Sequence, residues 1–280
     1  MKVTIPDELK KDIPQNGWGK ILSATPIVMT VIATLLAGLA TSEMTHAQYD
    51  RALGAQLQSK AGDQWGYFQA KKLRGAMQRN SLELLQATTD VHPLNNPALE
   101  KIPALPVTSP DANLKAALEA VEMEKPEAEI TGSLKALDDK TLETALQAAR
   151  DQARVFDVAL APANQVLAQL EKSLPAGDKS AARDLAVAKM RFSAMRYDAE
   201  AALNQNIGYL LELQVRKANL SAERHHNRSQ KFFFGMLAAQ AGVIISTFAM
   251  AARKRNLLWM VAATAGIVAV AFAIYVYLRV

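Results

Sequence analysis

The chain contains no cysteine. That removes thiol catalysis, thiolate metal sites and disulfide staples, while leaving the compartment open. Histidine is scarce as well: His46, His92, His225 and His226 are the whole set. The adjacent pair His225 and His226 points about 100° apart on a helix, a poor grip for one metal ion. No phosphate-cradling glycine loop, nucleophile elbow, zinc motif or paired-carboxylate constellation occurs. Glu122, Glu124, Asp138 and Asp139 sit in breaker-rich segments and read as solvated. These absences predict a protein that is not an enzyme and that holds no metal and no cofactor. Strand-like alternation of useful length is missing too, so the expected class is all-α.

Charge is absent from three runs, Ile21–Thr41, Phe232–Ala252 and Leu257–Leu278. A hydrocarbon core of about 30 Å needs roughly 20 helical residues, and each run meets that length. The sequence therefore predicts a membrane protein with three transmembrane helices and one extramembrane domain over 42–231. The first run exceeds the apolar core of a signal peptide and follows a tail of 20 residues (1–20), so it is expected to stay as an anchor. Aromatic residues stand where interfacial belts are expected: Trp18, Phe232-Phe233-Phe234, Trp259, Tyr275 and Tyr277. Small residues recur at four-residue spacing as Ala238, Gly242 and Ser246, and as Ala265, Ala269 and Ala273. Such faces let helices approach closely, either within the hairpin or between chains.

The net charge of +5 resides at the membrane ends. The tail 1–20 carries Lys2, Lys10, Lys11 and Lys20 against three acids, the tip 253–256 carries Arg253, Lys254 and Arg255, and Arg279 follows. The domain 42–231 is balanced, so the basic surplus is no nucleic-acid signature. A basic tip prefers the cytoplasm, which places the N-terminus inside, the domain outside and Val280 outside. Arg253, Lys254 and Arg255 are the expected topology determinants. Lys217, Arg224, Arg228 and Lys231 oppose this orientation, although long domains translocate with their charge.

Proline is missing from Ser42–Thr89 and from Asp178–Lys231, which predicts two long helical arms, 43–89 and 178–231. Leu53, Leu57, Ala61, Trp65 and Phe68 form an apolar stripe on the first, an arm about 70 Å long. On the second, Leu185, Ala188, Phe192, Met195, Ala199, Ala202, Asn206, Tyr209 and Leu213 follow alternating three- and four-residue steps, with Asn206 as a register-setting polar position. The arms are expected to pair as a long antiparallel, coiled-coil-like stalk; an ordinary helical bundle is the alternative. Between them the reading is a proline-rich connection over 91–132, then helices at 134–160 and 163–174.

The richest stretch is Asp63-Gln64-Trp65-Gly66-Tyr67-Phe68-Gln69-Ala70-Lys71. It resembles the D-Q-W-x-Y-x-Q-A-K signature of an uncharacterised bacterial membrane-protein family, a domain of unknown function, in which the signature follows a first transmembrane helix. The resemblance covers roughly 20–85 and 215–280, where Arg224-His225-His226-Asn227-Arg228, Gln240 and Leu257-Leu258-Trp259 are also similar. Phe68 stands where the family usually has another aromatic, and the middle, 91–179, does not align. The resemblance implies topology and localisation in a bacterial inner membrane, with a periplasmic domain; it implies no activity.

Asp63, Tyr67 and Lys71 are spaced to share one helical face, and Trp65, Phe68 and Gln69 another. With Gln64 they form the candidate helix-contact or partner surface, either within the chain or toward another. The expected function is a membrane-anchored helical scaffold or interaction protein of the cell envelope. Its partners would be the bilayer and, through helical contacts, itself or another envelope protein. The alternative is an oligomeric channel or an accessory subunit of a transport complex, with Gln240 as the intramembrane polar candidate.

Overall fold

A computed structural model describes residues 17–92, 94, 96–102, 111–251 and 255–279, with side chains over 24–92, 94, 96–102, 111–250 and 257–278. Among the described residues every regular element is a helix. In chain order these are α1 (Gly17–Thr88), α2 (Pro97–Glu100), α3 (Ala112–Glu122), α4 (Glu127–Lys135), α5 (Asp139–Ala159), α6 (Ala161–Ser173), α7 (Lys179–Ala251) and α8 (Arg255–Arg279). Three of them, α1, α7 and α8, are long and apolar enough to cross a membrane. Arg253 and Lys254 of the basic tip lie outside the described residues, as do residues 1–16 of the tail, and Arg255 opens α8 without a described side chain.

The chain divides into two compact units, one formed by 1–52 with 219–280 and the other by 53–218. In the first, the apolar runs of α1, α7 and α8 pack together. Their core holds Ala33, Leu36 and Ala40 of α1, Phe232 and Ala239 of α7, and Ala269 and Val276 of α8. Buried positions on α7 fall at Phe232, Gly235, Ala239, Gly242, Ser246 and Ala249, the alternating three- and four-residue steps of knobs-into-holes packing. Glycine permits the approach. A β-carbon on Gly235 would sit 3.4 Å from Leu36, and Gly242 and Gly266 both face the Met29 side chain. The small residues thus serve helix contacts inside one chain. Several hydroxyls in these runs bond their own helix: Thr30 to the carbonyl of Pro26 at 2.8 Å, Thr34 to Thr30 at 2.9 Å, Ser246 and Thr247 to Val243 at 2.9 and 2.8 Å; Thr25 instead accepts from the Trp259 indole of α8 at 3.0 Å.

In the second unit, the segments of α1 and α7 pair in opposite sequence order. Gln64 meets Asn204, Lys71 meets Glu200, Arg79 meets Asp198, and Arg183 donates to the Asp90 carbonyl at 2.9 Å. The expected seam on α7 is corrected here. Ala188, Phe192 and Ala199 belong with Leu99, Phe156, Leu160 and Ala163, so that face seats α2, α5 and α6; Leu185 is buried. Ala202 and Asn206 are exposed, and burial continues at Leu203, Ile207 and Leu210. The reason is that periodicity marks a face as buried without naming the neighbour that covers it. The first arm meets small residues of α7, with Trp65 against Gly208 and Gly75 beside the Ala194 carbonyl; Val187, Ala201 and Val215, at heptad spacing from these, are buried too.

The segment expected to be a connection over 91–132 contains α2, α3 and the start of α4, with Gly132 inside α4. Residues 93, 95 and 103–110 of this segment lie outside the described residues; the two described prolines begin helices rather than forbid them. Pro97 is the first residue of α2 and Pro126 the N-cap of α4, positions where the missing N–H has no helical partner to lose. Asp111 caps α3 through the Asn113 amide at 2.8 Å, and Asp178 caps α7 through Ser180 and Ala181 at 3.0 and 2.9 Å. Gly177, at φ +90, makes the turn before that cap. Leu134 ends in α4 and α5 begins at Asp139, later than expected; one residue, Leu160, then joins α5 to α6.

Candidate functional site

The candidate surface is built on α1 around residues 63–71. Eight residues along a helix advance it about 80° beyond two full turns, so Asp63 and Lys71 cannot point the same way. Asp63 and Tyr67 are exposed, Tyr67 at 61%. Lys71 turns to α7, where its ammonium meets the Glu200 carboxylate and stands 5.5 Å from the centre of the Tyr197 ring. Arg196 joins from the same helix, its Nε 3.3 Å from Glu200 and its guanidinium 4.8 Å from the Tyr197 ring. Two cations thus share one largely buried carboxylate, so either cation's loss leaves the other paired, whereas loss of Glu200 strands both.

The second expected row divides in the same way. Trp65 and Phe68 are half-buried and meet edge to face, centroids 5.6 Å apart; Gln69 is exposed. Trp65 also meets the Tyr209 ring edge-on at 5.0 Å and lies flat against Gly208. Gln64 donates to Asn204, whose own amide donates to the Glu200 carbonyl at 2.6 Å. Of the seven residues expected in the site, Gln64, Trp65, Phe68 and Lys71 come together on the α7 side, while Asp63, Tyr67 and Gln69 stay on the outside. Sequence reasoning missed Gly75, Arg79, Asp198, Glu200, Asn204 and Gly208. The mid-helix glycines were the available signal: glycine inside a helix costs roughly 0.5–1 kcal/mol against alanine, and close approach of a neighbour compensates it. A β-carbon on Gly75 would stand 3.0 Å from the Asp198 carboxylate.

The unit is tied at its other helices by ion pairs. Arg216 of α7 reaches Glu212 at 2.9 Å and Glu127 of α4 at 2.6 Å. Burial pulls the guanidinium down, but the hydrogen bonds and charges of Glu212 and Glu127 outweigh it and hold Arg216 above its ordinary value. Lys217 takes the Leu137 carbonyl and pairs with Asp139 at 2.8 Å.

In the first unit a second polar cluster follows the apolar run of α1. His225 Nδ1 lies 2.5 Å from the Glu43 carboxylate, the His46 ring is 5.3 Å from the His225 ring, and Arg228 stands 3.9 Å from Glu43. Ser229 donates to the Ala40 carbonyl at 2.7 Å. Among the described residues no group of three His, Asp or Glu side chains is arranged to hold a metal ion. Gln240 is exposed on α7.

Among the described residues this is an all-helical chain with three membrane-length apolar helices and a polar interhelical contact. It belongs to the family described as a domain of unknown function (DUF4337), whose profile matches residues 18–161. The matched range spans 20–85 and runs on through much of the middle segment that the resemblance had left out, while 215–280 lies outside it. No curated protein and no solved structure matches the chain.

Proposed function

We propose that this protein is a membrane-anchored helical scaffold or interaction protein of the bacterial cell envelope, without catalysis or cofactor. On this reading the apolar runs of α1, α7 and α8 cross the inner membrane, the N-terminus is cytoplasmic and 42–231 forms a stalk-like periplasmic domain. The observation that carries it is where the polar groups go. Hydroxyls of Thr30, Thr34, Ser246, Thr247 and Thr264 close on their own helices, and Thr25 accepts from the Trp259 indole at 3.0 Å between two of the runs, whereas the α1–α7 contact outside those runs is made of several specific side-chain pairs. Such a contact fixes one helix against another, which is what a holder requires. The exposed Gln240 favours the second reading, an oligomeric channel or a transporter subunit, because an amide facing lipid gains from a partner outside the chain.

Reconstitution into vesicles separates the two. The scaffold reading expects no solute or ion flux and a protein that copurifies in mild detergent; specific flux abolished by Gln240→Leu overturns it. A reporter active only outside the cytoplasm, fused near residue 130, is expected to work, and activity of a cytoplasm-only reporter there reverses the orientation.

A further inference from the structure

The α1 segment of the second unit has two faces, and α7 covers one of them. On the other, Ala70, Leu73, Met77, Asn80, Leu84 and Ala87 follow unbroken steps of three and four residues, and all six are exposed. Leu73, Met77 and Leu84 are 63%, 59% and 66% exposed. Large apolar side chains scattered over a surface need no explanation, but these are ranked in heptad register on one helix for about 26 Å. Gly75, which faces α7, lies on the opposite side of the helix from this row.

We propose that this row is the seam through which two copies of the chain pair, α1 against α1, parallel and in register. The inference rests on the membrane-anchored reading above and names the partner. Its direction follows from that anchoring: α1 is a single helix from residue 17 to 88, so two copies held by their first spans in one bilayer present the row in the same sense. In a parallel pair each residue meets its own counterpart. Asn80 then faces Asn80 of the second copy, amide to amide, and any slip leaves that amide against Leu or Ala, so one polar position selects the register. The flanks agree. The positions that meet across a parallel seam pair Gln69 with Arg74, Ala76 with Ser81 and Glu83 with Thr88, and none of these sets like charges together. Asp63, one heptad before Ala70, would meet itself and ends the seam. A contact of this length falls short of a standard soluble interface; confinement of both copies to one membrane raises their effective concentration and makes it sufficient.

The absence of native cysteine makes the test direct. In membranes carrying the full chain, Leu73→Cys and Asn80→Cys are expected to give disulfide-linked dimers on mild oxidation, while Gln86→Cys, exposed but off the row, stays monomeric. No dimer at either seam position, or equal linkage at Gln86, overturns the pairing. As a second measure, Leu73→Lys combined with Met77→Lys is expected to convert the detergent-solubilised dimer to monomer by light scattering, with helicity and melting temperature unchanged. A dimer that survives both lysines overturns it as well. The two readings fail separately: a monomer that still captures a partner removes the seam and keeps the scaffold, and a seam-linked dimer that conducts removes the scaffold and keeps the seam.

Discussion

Gly208 of α7 lies against the indole of Trp65, so that a β-carbon at 208 would stand 3.2 Å from Cε2 and 3.4 Å from Cδ2. The aromatic residue of the signature is therefore matched by a gap in the opposite helix. Gly208→Val should displace the indole and lower stability by about 1–3 kcal/mol, the usual cost of overpacking. Gly62→Ala, where nothing lies within 4 Å, should instead stabilise by up to about 1 kcal/mol through helix propensity alone. Chemical denaturation of the solubilised protein distinguishes the two signs.

Trp65→Ala should lower stability by about 2–3 kcal/mol, less than for a fully buried tryptophan because the ring is half-exposed. A double-mutant cycle with Tyr209→Ala should return a coupling of about 0.5–1.5 kcal/mol, the range for an edge-to-face pair. Additive single effects would show that the two rings do not depend on one another.

Glu200 is shared by Lys71 and Arg196, with side-chain exposures of 13%, 28% and 26%. Glu200→Gln should destabilise by about 1–3 kcal/mol, because two partly buried cations lose their counter-charge. Lys71→Met should cost less, since it leaves Glu200 paired with Arg196. The melting temperatures of the two variants are expected in that order.

Among the apolar helices, Gly242→Leu should loosen the first unit, because Met29 already occupies the space beside Gly242 and Gly266. The measurement is the melting temperature or protease resistance of the variant against Ala241→Leu, an exposed neighbour expected to be neutral.

Much of the fold was legible because the signals were long. Three uncharged runs and two proline-free stretches each span many turns, and an all-helical chain is what the structure has. What escaped is local or depends on phase. The prolines of 91–132 looked like breakers, yet Pro97 and Pro126 occupy the starts of helices, where only the cap distinguishes a break from a beginning. The apolar row at Leu185–Ala199 was a true buried face, but periodicity alone does not say which neighbour covers it. The arm contact was hidden in alanines, glycines and polar pairs such as Gln64 with Asn204, which carry little hydropathy. Within the signature, spacing grouped Asp63 with Lys71, while the helical advance over two turns separated them.

The order of the α1–α7 pairs has a consequence for how the second unit assembles. Arg183 and Asp90 are 93 residues apart in the chain, Arg79 and Asp198 are 119, and Gln64 and Asn204 are 140. Closing the longest of these loops costs only about 0.4 kcal/mol more than closing the shortest. The short-range packing of α3 on α4 and of α5 on α6 shortens the effective loop most for the innermost pair. The arms then zip from Asp90 toward Gln64, and in refolding the amides near Arg183 should gain exchange protection before those near Asn204. A chain built this way completes its signature contact last.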